Sequence, residues 1–150
     1  MADAAAQPAA SGFSAGSSAA DMLASMPYAS ALGITLDELT PQLVRGSLAW
    51  SPERCTASGL LHGGAVMSLA DTIGAVCALL NLPPGAGTAT ADSQTNFFRA
   101  VREGTLHAAA RPLHVGRSFI VVRTELTDDA GRPVGQTTQT QAVLAPRPAD

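Results

Sequence analysis

The stretch Gly59-Leu60-Leu61-His62-Gly63-Gly64-Ala65-Val66-Met67-Ser68-Leu69-Ala70-Asp71-Thr72 opens a run whose length and apolar content read as a core helix from about Gly63 to Leu80. Pro83-Pro84-Gly85 ends it. Between Arg54 and Asp92 the only formally charged residue is Asp71, set among Leu69, Ala70, Ile73 and Val76. Burying an unpaired carboxylate costs on the order of several kcal/mol, so Asp71 is hydrogen-bonded, exposed on a cleft, or tuned for a task. Ser68, Asp71 and Thr72 stand at i, i+3 and i+4 and form one narrow polar stripe, which faces a crevice or partner, or is simply a solvated face. At the helix start, His62-Gly63-Gly64 offers N–H groups that have no intrahelical acceptor, a ready oxyanion hole, although a tight turn would demand glycine equally. His62 by itself reads as well as a helix-entry residue serving backbone groups. Eight residues separate Gly63 from Asp71, roughly 12 Å of helix, too far for both to serve one carbonyl within a single chain. If both do serve it, they come from different subunits, with two helices antiparallel across a two-fold axis. The site therefore predicts a homodimer.

Around this helix the chain is short and sparsely charged. Its 150 residues suit one domain, and 46% apolar against 14% charged residues excludes a wholly disordered chain and disfavours a coiled coil. With nine arginines, no lysine and a net charge of -3, nucleic acid is not an expected partner. Cys55 and Cys77 make neither a disulfide framework nor a metal-binding pair, so no metal is expected, and a reducing, cytoplasmic setting is. The first residues are rich in Ala, Ser and Gly without the basic start of a secretory signal, and the apolar run 60–82 is too interrupted to span a membrane. We expect a flexible tail over 1–20, a domain over 21–146 and a short tail over 147–150. Asp21 is a candidate N-cap for one amphipathic helix carrying Met22, Leu23, Met26, Tyr28, Ala29 and Leu32 and closing at Gly33. Strands are expected at Ile34 to Leu39, Leu43 to Trp50, Ala89 to Phe98, Thr105 to Leu113, Ser118 to Thr127 and Pro133 to Leu144. Short connections make their pairing mostly antiparallel, and the sheet must cover the long helix. This is an α+β architecture.

The His-Gly-Gly start, the apolar spacer and Leu69-Ala70-Asp71 resemble the helix signature of hotdog-fold acyl-CoA thioesterases of the phenylacetate-degradation type. Ala91-Asp92-Ser93-Gln94-Thr95-Asn96-Phe97-Phe98-Arg99-Ala100 resembles the strand after that helix, Gly104 the next turn, and His114-Val115-Gly116-Arg117-Ser118 a later strand and turn. The likeness covers about residues 21 to 145. It implies an antiparallel sheet wrapped around one long central helix, protomers paired edge to edge, and an active site between them. By the resemblance Asp71 is general base or nucleophile, the amide of Gly63 or Gly64 from the other chain holds the thioester oxygen beside His62, and Thr90 carries a water-orienting hydroxyl. Some members have asparagine six residues before the histidine, where this chain has Thr56.

From residue 95 to 123 there are five arginines and one acid, Glu103, a local charge of about +4 in an acidic chain. Clustered guanidinium groups suit the phosphates of coenzyme A. Arg99, Arg102 and Arg117 are the candidates, with Gly116 and Ser118 at the same turn and His114 on the pocket rim. Phe97, Phe98, Ser68 and Thr72 would line the acyl pocket. The expected function is hydrolysis of an aryl-, arylacetyl- or short- to medium-chain acyl-CoA with no cofactor, coenzyme A being part of the substrate, in a homodimer or a tetramer. The rivals are a non-catalytic acyl-CoA-binding module, which would not need Asp71, and an enoyl-CoA hydratase or dehydratase, against which the His-Gly-Gly spacing argues.

Overall fold

The computed structural model describes residues 18–146, so most of the expected N-terminal tail and the tail at 147–150 lie outside the described residues. Two short helices come first, α1 (Ala19–Ala24) and α2 (Pro27–Leu32). They replace the single expected helix, because Pro27 has no N–H to continue α1 and instead starts α2 at its first position. The cap of α1 is Ser18 rather than Asp21; Asp21 takes the third helical position and bonds back, closing a capping box. Gly33, at φ +80, ends α2 in the left-handed region that favours glycine.

The hairpin β1 (Ile34–Thr40) and β2 (Leu43–Ala49) follows, then the long helix α3 (Gly63–Leu79) and four strands, β3 (Gly87–Phe97), β4 (Thr105–Val115), β5 (Phe119–Thr127) and β6 (Pro133–Leu144). All six strands form one antiparallel sheet in the order β1-β2-β4-β5-β6-β3. The seven-residue connection 98–104 therefore does not make β3 and β4 neighbours. It carries the chain past β6 and β5, and buried Val101 accepts from Leu61 N–H on the way.

The sheet wraps α3, which packs against all six strands. Val66, Leu69, Ala70, Ile73 and Cys77 recur at three- and four-residue spacing and are buried against the inner faces of β2, β4 and β5, supplied by Val44, Leu48, Leu106, Ala108, Ile120, Val122 and Leu126. Burial pushes the Cys77 thiol up to about 11, as expected of a small core hydrophobe. The helix stops before the Pro83-Pro84 pair, where Asn81 Nδ2 donates 2.8 Å bonds to the Cys77 and Pro41 carbonyls. No described helix is long and apolar enough to cross a membrane.

Three carboxylates, exposed at Asp21 and Asp129 and half-buried at Asp128, are held below the usual aspartate value of 3.8 by donors: Asp21 by the Ser18 hydroxyl, Asp128 by the Arg132 backbone N–H, and Asp129 by His107. Lowered folded values mean stabilisation that is present above the unfolded value and lost as pH falls through the folded ones. A thermal-denaturation series is expected to show the melting temperature falling below about pH 4, and less steeply in Asp128→Asn. An Asp128→Asn series that tracks the wild type would remove Asp128 from this account.

Candidate active site

Asp71 sits two turns into α3, partly buried, and its carboxylate is asymmetrically held. Oδ1 accepts from Thr90 Oγ1 at 3.1 Å and from Gln139 Nε2 at 3.0 Å. Oδ2 takes no partner among the described residues, and the carboxylate lines a cleft of about 240 Å³ with Tyr28, Met67, Ser68, Thr72 and Ser93. The polar stripe thus faces a crevice. Its hydroxyls are not free donors, however: Ser68 donates to the Gly64 carbonyl and Thr72 to the Ser68 carbonyl, both at 2.8 Å. With its proton so placed, Ser68 Oγ accepts from the Tyr28 hydroxyl at 3.0 Å, which ties α2 across the middle of α3.

Thr90 reaches Asp71 through an irregularity in β3. Thr90 pairs with Gln141 and Asp92 with Thr140, so Ala91 is an extra residue, and the bulge reverses the parity of the strand. Thr90 and Ser93 consequently share the helix-facing side with Thr95 and Phe97, whereas unbroken alternation from Thr90 would have turned Asp92 inward. Bulge and register together place two hydroxyls near one carboxylate.

At the start of α3, His62 is the N-cap and its Nδ1 accepts from Gly64 N–H at 2.8 Å, the tautomer with its proton on Nε2. The Gly64 amide is thereby spent. Of the two glycines, it is Gly63 whose N–H has no partner among the described residues, and a methyl group there would meet the Phe97 ring at 3.4 Å. Phe97 covers Gly63, while Phe98 projects outward. Thr56 lies in the exposed loop before the helix, its hydroxyl accepting from Ser58 N–H. Within one chain, then, the Gly63 donor and the Asp71 carboxylate belong to different sites, as helix length requires.

The arginines divide in the same way. Arg99 and Arg102 lie on the connection that bonds to Leu61, at the N-terminal end of α3. His114, Gly116, Arg117 and Ser118 lie at the β4–β5 turn, beside the ends of β6 and β3 nearer Thr90. The length of β4 puts these groups about 33 Å apart along the sheet. Arg99, Arg102 and Arg117 are exposed and take no carboxylate among the described residues, unlike Arg123, which pairs with Glu125 at 3.3 Å. Above Gly116 the space belongs to the chain itself, since a methyl group would meet His114 Nε2 at 2.6 Å and the Phe119 carbonyl at 2.9 Å. His107 bonds Asp129 at 2.8 Å, away from the cleft. Among the described residues no group of three or more His, Cys, Asp or Glu side chains could hold a metal ion.

Tyr28, Ser93, Gln139 and Gln141 were not expected at this site. The signal for the glutamines was the run Gln136-Thr137-Thr138-Gln139-Thr140-Gln141, six consecutive strand residues with no apolar side chain on either face. In an interior strand such a run must bury polar groups.

The family model of the thioesterase superfamily matches residues 58–134, 77 of the 150 in the chain. A Vibrio cholerae protein carrying an esterase name is 41% identical over 60% of this chain and 60% of its own length. The 1,4-dihydroxy-2-naphthoyl-CoA hydrolase of Escherichia coli is 35% identical over 57% of this chain and 63% of its own. This chain thus spans a little under two thirds of either relative. The crystal structure of a mutant thioesterase from Pseudomonas aeruginosa superposes with a TM-score of 0.80 at 27% identity, covering 85% of this chain and 94% of that one. The six-stranded antiparallel sheet around one long helix is the hotdog fold, and the chain belongs to the thioesterase superfamily, a family of thioester-hydrolysing enzymes.

Proposed function

We propose that this protein hydrolyses the thioester of an aryl-, arylacetyl- or short- to medium-chain acyl-CoA, and that it does so as a homodimer without a cofactor. The observation that carries the reading is Asp71: one carboxylate oxygen is held by two donors while the other is left open to a cleft, on a helix whose first N–H is unpartnered. Asp71 acts as general base on water or attacks the acyl carbon itself. The Gly63 N–H of the other subunit polarises the thioester carbonyl and takes the charge that develops on its oxygen. Thr90 spends its proton on Asp71 Oδ1 and keeps a lone pair to accept from the attacking water.

Edge-to-edge pairing through β3 supports this assembly. That strand is an exposed sheet edge, and Phe97, Phe98 and Met67 leave large apolar surface beside it. Antiparallel pairing of two such edges would run the two α3 helices in opposite directions, bringing the start of one toward Asp71 of the other. It would also bring Arg99 and Arg102 of one chain toward Arg117 of its partner, closing the 33 Å gap left within a single chain, at about that distance from strand geometry. Two such dimers could pair again as a tetramer. An arylacyl substrate has a precedent in the Escherichia coli relative, whose name specifies an aryl-CoA ester. Free thiols at Cys55 and Cys77 fit a cytoplasmic enzyme.

The deciding experiment is thiol release from a panel of aryl, arylacetyl and straight-chain acyl-CoA esters, with Asp71→Ala in parallel. Hydrolysis of one class together with a dead variant supports the reading. Tight binding without turnover at any acyl length would replace it with a binding module, and hydration of an enoyl-CoA would replace it with a hydratase. Arg117→Ala is expected to raise KM about tenfold for coenzyme A esters and to leave simple thioesters without phosphates unaffected. Equal effects on both kinds of substrate would exclude a phosphate contact.

A further inference from the structure

We propose that two buried glutamines of β6, Gln139 and Gln141, are positioning residues that fix which oxygen of Asp71 reacts, directly in the case of Gln139 and through Thr90 in the case of Gln141. The inference rests on Asp71 being the reacting carboxylate. Gln139 and Gln141 are 0% and 1% exposed, on a strand whose other helix-facing residues include Thr137. Burial of two primary amides is costly unless each polar atom is used. Gln139 Nε2 donates to Asp71 Oδ1 at 3.0 Å and approaches the Asp71 backbone carbonyl at 3.5 Å. Gln141 Nε2 donates to Thr90 Oγ1 at 2.8 Å, and Thr88 Oγ1 donates to Gln141 Oε1 at 3.2 Å.

The direction of each bond follows from donor counting. Thr90 has one proton; since Gln141 donates to its oxygen, that proton is free to point at Asp71, where it lies 3.1 Å from Oδ1. Gln141 therefore selects the Thr90 rotor; the single proton of Thr88 is shared between the Ala142 carbonyl at 2.9 Å and Gln141 Oε1 at 3.2 Å. Both lone pairs of Oδ1 are thereby engaged, and Oδ2 keeps its own for water or an acyl carbon. A carboxylate free to spin would offer either oxygen in any orientation, whereas this one presents a single oxygen to the cleft.

Two further observations show that the Gln139 amide is held for its donor. Its Oε1 is buried without a partner, so the donor contact to Asp71 is kept at the expense of the acceptor. A flipped amide would bring that oxygen against the carboxylate and is excluded by repulsion. The room for Oε1 is made by Gly74 of α3, where a methyl group would collide with it. Glycine inside a helix is disfavoured relative to alanine, yet here it faces the one amide that touches Asp71.

The test compares wild type with Gln139→Met, which keeps the length and removes the donor, and with Gly74→Ala, which displaces the amide from the opposite side. Folded fraction is measured for each by circular dichroism. On the acyl-CoA hydrolysed best by the wild type, each variant is expected to lose kcat about 10- to 100-fold, with KM within about twofold. Gln139→Met placed on Asp71→Asn should cost no further activity. A loss that falls on KM instead of kcat, a further loss in the Asp71→Asn background, or a loss of kcat no larger than the loss of folded protein, would overturn the proposal. If the wild type hydrolyses no acyl-CoA, the thioesterase reading fails on its own, and the side-chain amide protons of Gln139 decide the present inference by NMR. Their resonances should move in Asp71→Ala, and resonances that stay put would refute the contact.

Discussion

Asp71→Asn is expected to lower kcat about 10³-fold or more on the preferred acyl-CoA, with KM changed by no more than a few fold and the fold intact. Asparagine has the same shape, and its carbonyl oxygen can still accept from Gln139 and Thr90 as Oδ1 does. What it removes is the open oxygen, Oδ2, and with it the lone pair that takes a proton from water or attacks the thioester. Because the side-chain shape is kept, lost activity cannot be charged to lost structure; circular dichroism and the elution volume check that point. A variant keeping more than about a tenth of wild-type kcat would remove Asp71 from the chemistry, since a positioned general base accounts for at least that much. Pre-steady-state kinetics of the wild type then separate the two roles. A burst of coenzyme A ahead of free acid marks an acyl group held on Asp71, whereas simultaneous appearance marks activation of water.

Asp71 stands out in the amino-acid sequence for a simple reason. A lone charge on an apolar helix breaks the pattern of its neighbours, and eight helical residues fix its distance from Gly63, so local periodicity carries both the candidate carboxylate and its separation from the helix start. The strands are readable for the same reason, with Pro133 to Leu144 matched at both ends. Three features are not. Pro27 splits the first helix although its apolar spacing runs through the break. The place of β3 beside β6 depends on how the sheet closes over α3, a long-range property that short connections do not encode. The bulge at Ala91 leaves no mark in side-chain type, yet it decides that Thr90 and Ser93 face the same way. Composition alone makes Gln139 and Gln141 suspect; it does not reveal their partners, because contact with Asp71 requires knowing that β6 passes beneath α3.

The second large effect concerns the other end of α3. Gly63→Pro deletes one N–H and little else. Gly63 occupies the first helical position, where proline is well tolerated, and His62 before it is already extended, at φ -63 and ψ 136, as a residue preceding proline prefers. A Cβ at this position meets only the Phe97 ring, at 3.4 Å. If this N–H holds the thioester oxygen, kcat falls about 10²- to 10³-fold, the cost of one oxyanion-hole donor. Gly63→Ala adds a methyl group and keeps the donor, so it should stay within a few fold of the wild type; equal losses in both variants would point to crowding by Phe97 instead. The proposed subunit arrangement makes a sharper demand. Asp71→Asn and Gly63→Pro should each be nearly inactive alone, but in a hybrid dimer one site would pair two defects and the other would have an intact Asp71 opposite an intact Gly63. Random exchange of equal amounts makes half the dimers hybrid with one good site in two, so activity should return to about a quarter of wild type. A mixture no more active than its components, with exchange confirmed by mass, would place Gly63 and Asp71 in separate events and leave the shared site without support.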